Sequence, residues 1–333
     1  MSRTPDREAT ARAHPNVALV KYWGKRDAAL NLPATGSISV TLAGLATRTT
    51  VRLVDGGADR LTLNGAPADA GTLAKATRVL DLLRARAGSS ERAEIDSAND
   101  FPTGAGLASS ASGFAALAAA AARALGLTLT PEELSAVARV GSGSAARSIH
   151  GGYVEMSAGT RADGTDAVAR RLLAASDWPL GVLVAVTSSR AKTVQSTAGM
   201  EQTRASSPFW SGWVESTERD LAAMRTAVLA HDLAAAGDLA EHSCLKMHGL
   251  AMSARPGLIY WNGTTVALMH AVRALRAAGT GAWFTIDAGP QVKVLCEPAA
   301  TAAVRAALAA VPGVERIIDS GPGGPVEVRD GAA

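Results

Sequence analysis

The chain has 333 residues, 47% of them hydrophobic and 19% charged, with a formal net charge of +3. That length accommodates one large domain or two of ordinary size, with a sizeable core. The near-balanced charge, with no block of like sign, speaks against a general nucleic-acid surface, and no run reaches the roughly 18 apolar residues that a membrane span needs.

Met1 to Thr10 is polar and lacks the apolar core of a signal peptide, so a cytoplasmic enzyme is expected. Cys244 and Cys296 stand far apart without metal-ligand spacing and read as reduced core thiols. Six lysines stand against twenty-seven arginines, and Lys21 and Lys25 fall within five residues of each other. In a chain that otherwise takes its positive charge from arginine, this pair reads as compact point charges of the kind phosphate sites use. A solvated face is the plainer alternative.

In chain order, Ala11 to Val20 reads as one buried strand, and Ser37 to Leu42 and Thr49 to Val54 as two more. Gly24 and Pro33 predict a loop from Lys21 to Ala34. Arg60 to Leu63 with Asn64-Gly65 is a strand running into a tight turn, Gly71 to Ala87 an amphipathic helix, and Glu94 to Ser97 a strand. Asp100-Phe-Pro-Thr-Gly-Ala-Gly-Leu-Ala-Ser-Ser-Ala-Ser-Gly113 is a Gly/Ser loop feeding the alanine-rich helix Phe114 to Leu125. The first-turn amides of that helix, with Ser109, Ser110 and Ser112, make an anion cradle whose expected guest is phosphate. A serine-capped core helix is the alternative.

Thr130, Pro131 and Glu133 form the capping box of a helix ending near Val140. Gly141 to Gly152 is a second glycine and serine loop, followed by strands at Tyr153 to Met156 and Leu180 to Val186. A hydroxyl-rich loop spans Ser188 to Pro208. Helices follow at Phe209 to Ala230, Leu233 to Met252 and Gly263 to Ala278. Strands Gly281 to Ile286 and Gln291 to Cys296 flank the turn Asp287-Ala-Gly-Pro290, and a helix at Ala299 to Val311 precedes a last strand near Val326 to Arg329. Helices and strands mix without a strict βαβ repeat, so the fold class is α+β.

Two anion-binding loops and two lysines imply two polyanions brought together, as in phosphoryl transfer from a nucleotide to an acidic acceptor. Arg147 can fork onto a carboxylate or phosphate, or lie on a helix surface. Asp287 is an Asx-turn residue or, if its turn faces Lys21 and Arg147, the candidate base for a substrate hydroxyl. The six histidines show no metalloprotease spacing; His242 and His248 read as surface or satisfied core residues. A Walker A motif is absent.

Asn16-Val-Ala-Leu-Val-Lys-Tyr-Trp-Gly-Lys-Arg-Asp27, Ser37-Ile-Ser-Val-Thr-Leu42, Gly106-Leu-Ala-Ser-Ser-Ala-Ser-Gly-Phe-Ala-Ala116, Gly141-Ser-Gly-Ser-Ala-Ala-Arg-Ser148 and Asp287-Ala-Gly-Pro290 occur in that order. Together they resemble the GHMP family of small-molecule kinases and, within it, the diphosphomevalonate decarboxylases. The resemblance implies a two-domain GHMP-kinase-like α+β fold with a cleft between an N-terminal ATP-binding domain, residues 1–187, and a C-terminal ferredoxin-like domain, residues 188–333. It implies ATP- and Mg2+-dependent decarboxylation of mevalonate 5-diphosphate to isopentenyl diphosphate, through phosphorylation of the 3-hydroxyl, by a cytoplasmic homodimer.

By the same resemblance Asp287 meets the tertiary hydroxyl, Arg147 the substrate carboxylate, and Lys21 belongs to the charge network beside the hydroxyl. Ser142, Gly143 and Ser144 map to the diphosphate, and Tyr22, Lys25 and Ser196 to further substrate contacts. Gly104, Gly106, Leu107, Ala108, Ser109 and Ser110 map to the ATP phosphates, with Ser109 also the candidate Mg2+ ligand. Some bacterial relatives carry Arg after the loop serine, where this chain has Thr197. A decarboxylase of mevalonate 5-phosphate is therefore the alternative, beside a related kinase that releases no CO2 and a catalytically silent binding protein on the same scaffold.

Overall fold

Small apolar residues alternate with polar ones from Glu8 to Ala13 and from Thr47 to Val54, and both stretches are strands with one face buried. The computed structural model describes residues 7–101, 109–188, 190 and 193–331. The first half runs β1 (Glu8–Ala13), β2 (Asn16–Val20), β3 (Lys25–Asp27), β4 (Leu32–Pro33), β5 (Ser37–Thr41), β6 (Thr47–Val54), β7 (Arg60–Leu63), β8 (Ala66–Pro67), α1 (Ala70–Ala87), β9 (Arg92–Asn99), α2 (Ser109–Ala124), α3 (Pro131–Gly141), α4 (Ala145–Ser148), β10 (Tyr153–Met156) and β11 (Ala169–Leu173). The second runs β12 (Gly181–Val186), α5 (Ser196–Ser206), α6 (Trp210–Leu229), α7 (Leu233–Met252), α8 (Gly263–Ala277), β13 (Ala282–Ile286), β14 (Val292–Cys296), α9 (Thr301–Ala309), β15 (Arg316–Ser320) and β16 (Glu327–Asp330).

Among the described residues the strands form three sheets and a two-stranded ribbon. One has the order β16-β1-β6-β9-β7-β8, the second β11-β10-β5-β2, and the third β13-β14-β12-β15; β3 and β4 form a separate ribbon. The mixed content is the expected α+β class, and the third sheet, with its first strand between its third and fourth, has the ferredoxin-like order. Helix ends follow local chemistry. Asp69 caps α1 by accepting from Thr72 N, Gly88 ends it in the left-handed region, and the Thr130/Glu133 capping box opens α3 behind Pro131. Asn64 and Gly65 take the positive φ values that a tight hairpin turn requires.

The alanine run of α2 lets that helix lie close on β1 and β6, with Val79, Leu80 and Leu83 of α1 and Val137 of α3 completing the first core. One face of the third sheet, with Val182, Val184, Trp283 and Leu295, packs against Val17, Leu19, Ile38 and Val40 of β2 and β5 and against α6 and α7. Its other face, with Phe284, Ile286, Val292 and Val294, is covered by Leu268 and Val272 of α8 and Val304 and Leu308 of α9. β2 therefore runs along the seam between second and third sheets, and the residue after it emerges between them. No helix among the described residues is long and apolar enough to cross a membrane.

Several expectations are corrected. Ala11 to Val20 is two strands in different sheets, because Pro15, which has no N–H for a ladder, turns the chain between β1 and β2. The Lys21 to Ala34 loop contains the β3/β4 ribbon, the second glycine loop contains α4, and the Ser188 to Pro208 loop contains α5. α5 escapes sequence periodicity because it buries only Gly199, Met200 and Thr203. Across the division expected after residue 187, β12 pairs with β14 and β15, and β16 returns to pair with β1.

Candidate active site

Lys21 follows the last residue of β2 and is 1% exposed. Its backbone N–H donates to Ser243 Oγ of α7 at 2.9 Å, and its Nζ donates to Asp287 Oδ1 at 2.7 Å. Asp287 follows β13, where the Ala-Gly-Pro turn leaves 24% of its side chain exposed. On its other side Lys293 Nζ of β14 stands 3.1 Å from Oδ2. Burial alone would raise the Asp287 carboxyl, but the charges of Lys21 and Lys293 outweigh it and hold the group well below the usual carboxylate range. Burial pushes the Lys293 ammonium down, against the pull of Asp287.

Arg147, on α4, is 2% exposed. Its Nε donates to Ser39 Oγ at 2.9 Å, Nη1 to Ser37 Oγ at 2.6 Å and Nη2 to Asn16 Oδ1 at 3.1 Å. Ser37 and Ser39 alternate along β5 and so share one face. Asn16 is held in turn, donating to Ser148 Oγ at 2.8 Å and Ser144 O at 3.0 Å. Among the described residues no carboxylate lies within ion-pair distance of Arg147. A guanidinium has five N–H donors, so the three neutral acceptors leave two, and the positive charge, uncompensated. Burial pushes Arg147 down to about 10, with Asp287 and Tyr22 pulling the other way. Lys21 bonds Asp287, and Asp287 is near enough to act on the charge of Arg147, so the segments near residues 21, 147 and 287 come together in the fold.

The two glycine and serine loops also meet. Ser110 Oγ, in the first turn of α2, lies 3.4 Å from Ser142 Oγ, which is 3.2 Å from Ser144 Oγ. Gly143 sits between those serines, where an added Cβ would come within 2.4 Å of the Tyr22 hydroxyl. That hydroxyl is buried, with no hydrogen-bond partner among the described residues, and burial holds its proton on firmly. Ser112, by contrast, is fully buried and bonded to Thr47, so it belongs to the core. Gly104, Gly106, Leu107 and Ala108 lie outside the described residues.

Gly24 has φ +102°, and a Cβ there would strike the Trp210 ring, so only glycine lets the chain turn from Tyr22 and Trp23 into β3. Lys25, first residue of β3, reaches Thr197 Oγ1 of α5 at 3.3 Å. Ser196 is the first residue of that helix, which packs through Met200 on Trp23 and Leu258. Burial lowers the Lys25 ammonium, and the charges of Lys75 and Arg78 on α1 push the same way. Such crowding of cations suits a polyanionic guest.

Sequence reasoning overlooked Lys293, Lys75 and the α7 face. A lysine centred in Val-Lys-Val-Leu-Cys, six residues after Asp287, is the signal that was available for the first. On α7, Cys244 accepts from Ile286 N at 3.2 Å beneath the Asp287 turn, and both cysteines are free and buried, as expected. His248, one turn on, is 1% exposed and its ring lies tilted against Trp261; backbone groups of Ile286 and Asp287 bond to it, while Nε2 lacks a partner among the described residues, so this core histidine is satisfied at one side only. Burial, reinforced by the charge of Lys21, pushes it down to about 3.

No group of three His, Cys, Asp or Glu side chains that could hold a metal exists among the described residues. The donors present are hydroxyls and a helix N-terminus. They fit a nucleotide phosphate chain whose oxygens supply most of the ligands of a magnesium ion, the usual arrangement for Mg2+.

The amino-acid sequence matches the diphosphomevalonate decarboxylase-like N-terminal domain over residues 13–169 and the mevalonate 5-diphosphate decarboxylase C-terminal domain over residues 182–320. It is 39% identical over 317 residues to the diphosphomevalonate decarboxylase of Aspergillus fumigatus, covering 88% of this chain and 78% of that protein. The fold matches MDDEF in complex with MVAPP, AMPPCP and magnesium at a TM-score of 0.90 and 37% identity, covering 97% and 99% of the two chains. It matches the mevalonate diphosphate decarboxylase from Enterococcus faecalis, in a structure concerned with mevalonate diphosphate mediated ATP binding, at 0.89 and 36%, with 97% and 99% covered. Matched in both halves and along nearly its whole length, the chain belongs to the diphosphomevalonate decarboxylase family.

Proposed function

We propose that this protein uses ATP to decarboxylate mevalonate 5-diphosphate to isopentenyl diphosphate, releasing ADP, phosphate and CO2. The observation that carries this reading is the pairing, within electrostatic reach of each other, of an ionised Asp287 held by Lys21 with an Arg147 that has no carboxylate partner of its own among the described residues. A hydroxyl to be phosphorylated and a carboxylate to be lost need these two environments side by side.

A tertiary hydroxide leaves carbon poorly; its phosphate ester leaves well. The substrate 3-hydroxyl oxygen attacks the γ-phosphorus of ATP, the bond from that phosphorus to the β-phosphate oxygen breaks, and the hydroxyl proton passes to Asp287. A carboxylate held so far below its usual range is a weak base. It takes the proton only as the new oxygen–phosphorus bond makes the hydroxyl acidic, so its role is chiefly to aim the oxygen. Lys21 stabilises negative charge on that oxygen. When the carbon–oxygen bond to the new phosphate breaks, the electrons binding the carboxylate carbon form the double bond and CO2 departs.

Arg147 holds that carboxylate. At about 10 it stays charged at neutral pH, so it does not donate the proton that would block loss of CO2. Ser142, Gly143 and Ser144, with Tyr22, Lys25 and Ser196, receive the diphosphate end, and Ser109 and Ser110 the nucleotide phosphates. Ser109, beside those phosphates, would hold Mg2+, which would supply neutralisation of charge on the transferring group. We further place the protein in the cytoplasm as a homodimer, a reading supported by the family resemblance and tested by sedimentation equilibrium.

The decisive assay is CO2 and ADP release from carboxyl-labelled mevalonate 5-diphosphate with ATP and Mg2+. ADP without CO2 would make the protein a kinase, and faster turnover of mevalonate 5-phosphate would move its substrate to the monophosphate. Absence of any nucleotide turnover would leave a binding protein.

A further inference from the structure

Lys293 has no part in the mechanism just described, yet it is 2% exposed at the middle of β14, on the sheet face that buries Val182, Val184 and Leu295. Its cross-strand partners are Val184 on β12 and Thr285 on β13, so the three share one sheet face. Asp287, two residues beyond Thr285, is the next position on that side. A hydrophobic residue at position 293 would pack at less cost, since an ammonium taken out of water is compensated only by a well-placed partner. The partner is Asp287, with Oδ2 3.1 Å away, while Lys21 bonds Oδ1 at 2.7 Å.

We propose that Lys293 is a positioning residue for the decarboxylation: from β14 it clamps the second oxygen of Asp287, so that the carboxylate stays ionised and meets the substrate hydroxyl in one orientation. The inference rests on the function proposed above. Lys21 alone would leave the carboxylate able to pivot about a single contact; the second cation, 3.1 Å from the other oxygen, opposes that pivot by its charge, as an ion pair and not a directed hydrogen bond. The titratable groups acting on this carboxylate are Lys21 after β2, Lys293 of β14, Arg147 of α4, and Cys244 and His248 of α7. Of these, only the two lysines make ion pairs with it.

The test replaces Lys293 in the full chain. Lys293→Met keeps the length and apolar stem without the charge. We expect kcat for CO2 release to fall about 10- to 100-fold while dissociation constants for ATP and mevalonate 5-diphosphate stay within about threefold. The acid limb of kcat, and the titration of the Asp287 carboxyl carbon followed by 13C NMR and assigned by its loss in Asp287→Asn, should both move up by about 1–3 pH units. Lys293→Arg should recover part of kcat. A lysine with only a structural role would change Tm and leave both pH profiles in place; that result overturns the proposal. Should Lys293→Met not fold, Lys293→Gln is judged by the same readouts. If the unaltered protein releases no CO2, the function proposed above falls, and the carboxyl titration, which needs no substrate, still decides the clamp.

Discussion

The two charged groups of the site are held in opposite ways. Asp287 is compensated twice, by Lys21 and Lys293, whereas Arg147 is surrounded by the neutral oxygens of Ser37, Ser39 and Asn16. Both groups are positioned by several contacts, so rigidity is not what separates them. The difference lies in what each is left to bind. A carboxylate gripped by two cations has its charge satisfied and meets a neutral hydroxyl, which needs an acceptor in a set direction. A guanidinium gripped by dipoles keeps its charge for an anion that arrives with the substrate, and its own desolvation is repaid only then.

The severest way to break this arrangement is Asp287→Ala, which leaves two buried ammoniums facing each other. We expect CO2 release to drop about 10³-fold or more, ATP binding to persist, and stability to fall by about 3–5 kcal/mol. A variant turning over within tenfold of the unaltered protein would remove Asp287 from its role. At the other end, Ser37→Asp supplies Arg147 with the counter-ion it lacks. Stability should hold or rise, while KM for mevalonate 5-diphosphate increases about 100-fold because an internal carboxylate now competes with that of the substrate. Unchanged KM would mean that the free charge of Arg147 is not what holds the substrate.

How much of this could be read from the sequence differs along the same division. The Arg147 side was legible as a loop, since Gly141-Ser-Gly-Ser with a following arginine announces an anion site locally, within a few residues. Its acceptors were not, because Ser37 and Ser39 look like ordinary strand residues until β5 is placed under α4. The Asp287 side was legible as a motif, but its second lysine sits in a strand that reads as simple core. Continuous apolar runs found β12, β13 and β14, which are buried on both faces; the same kind of reading failed at Pro15, where one apolar run serves two sheets, and at α5, where burial of a single side is too slight to leave a pattern.

Acid sharpens the comparison from a third position. His248 is held neutral, with its ring down at about 3, while an unfolded histidine titrates near 6.5. Between those values the unfolded chain takes up a proton that the folded one does not, so stability falls as pH falls, by about 1.4 kcal/mol per pH unit at full effect. Asp287 acts in the same direction in a lower window: its depressed value adds stability above the ordinary carboxylate range that is lost only in stronger acid. Urea unfolding of His248→Phe and the unaltered protein from pH 7.5 to 4.5 separates the two. The stability curves should converge or cross as pH falls below about 6, and parallel curves would show that His248 is protonated in the fold.

The smallest effect is the most diagnostic for Arg147. Ser39→Ala removes the acceptor of Nε and leaves the contacts of Nη1 and Nη2 in place. A buried hydrogen bond to a charged group is worth roughly 1.5–3 kcal/mol, part of which the freed N–H recovers by bonding water or substrate, so about a tenfold fall in kcat/KM is expected. The division of that loss carries the meaning. If Ser39 aims the guanidinium at the substrate carboxylate, the fall appears in kcat as well as KM, since a misaimed carboxylate departs more slowly as CO2. If Ser39 only solvates a buried charge, Tm drops by a few degrees and kcat stays where it was, and the neutral cradle around Arg147 would then be a matter of folding alone.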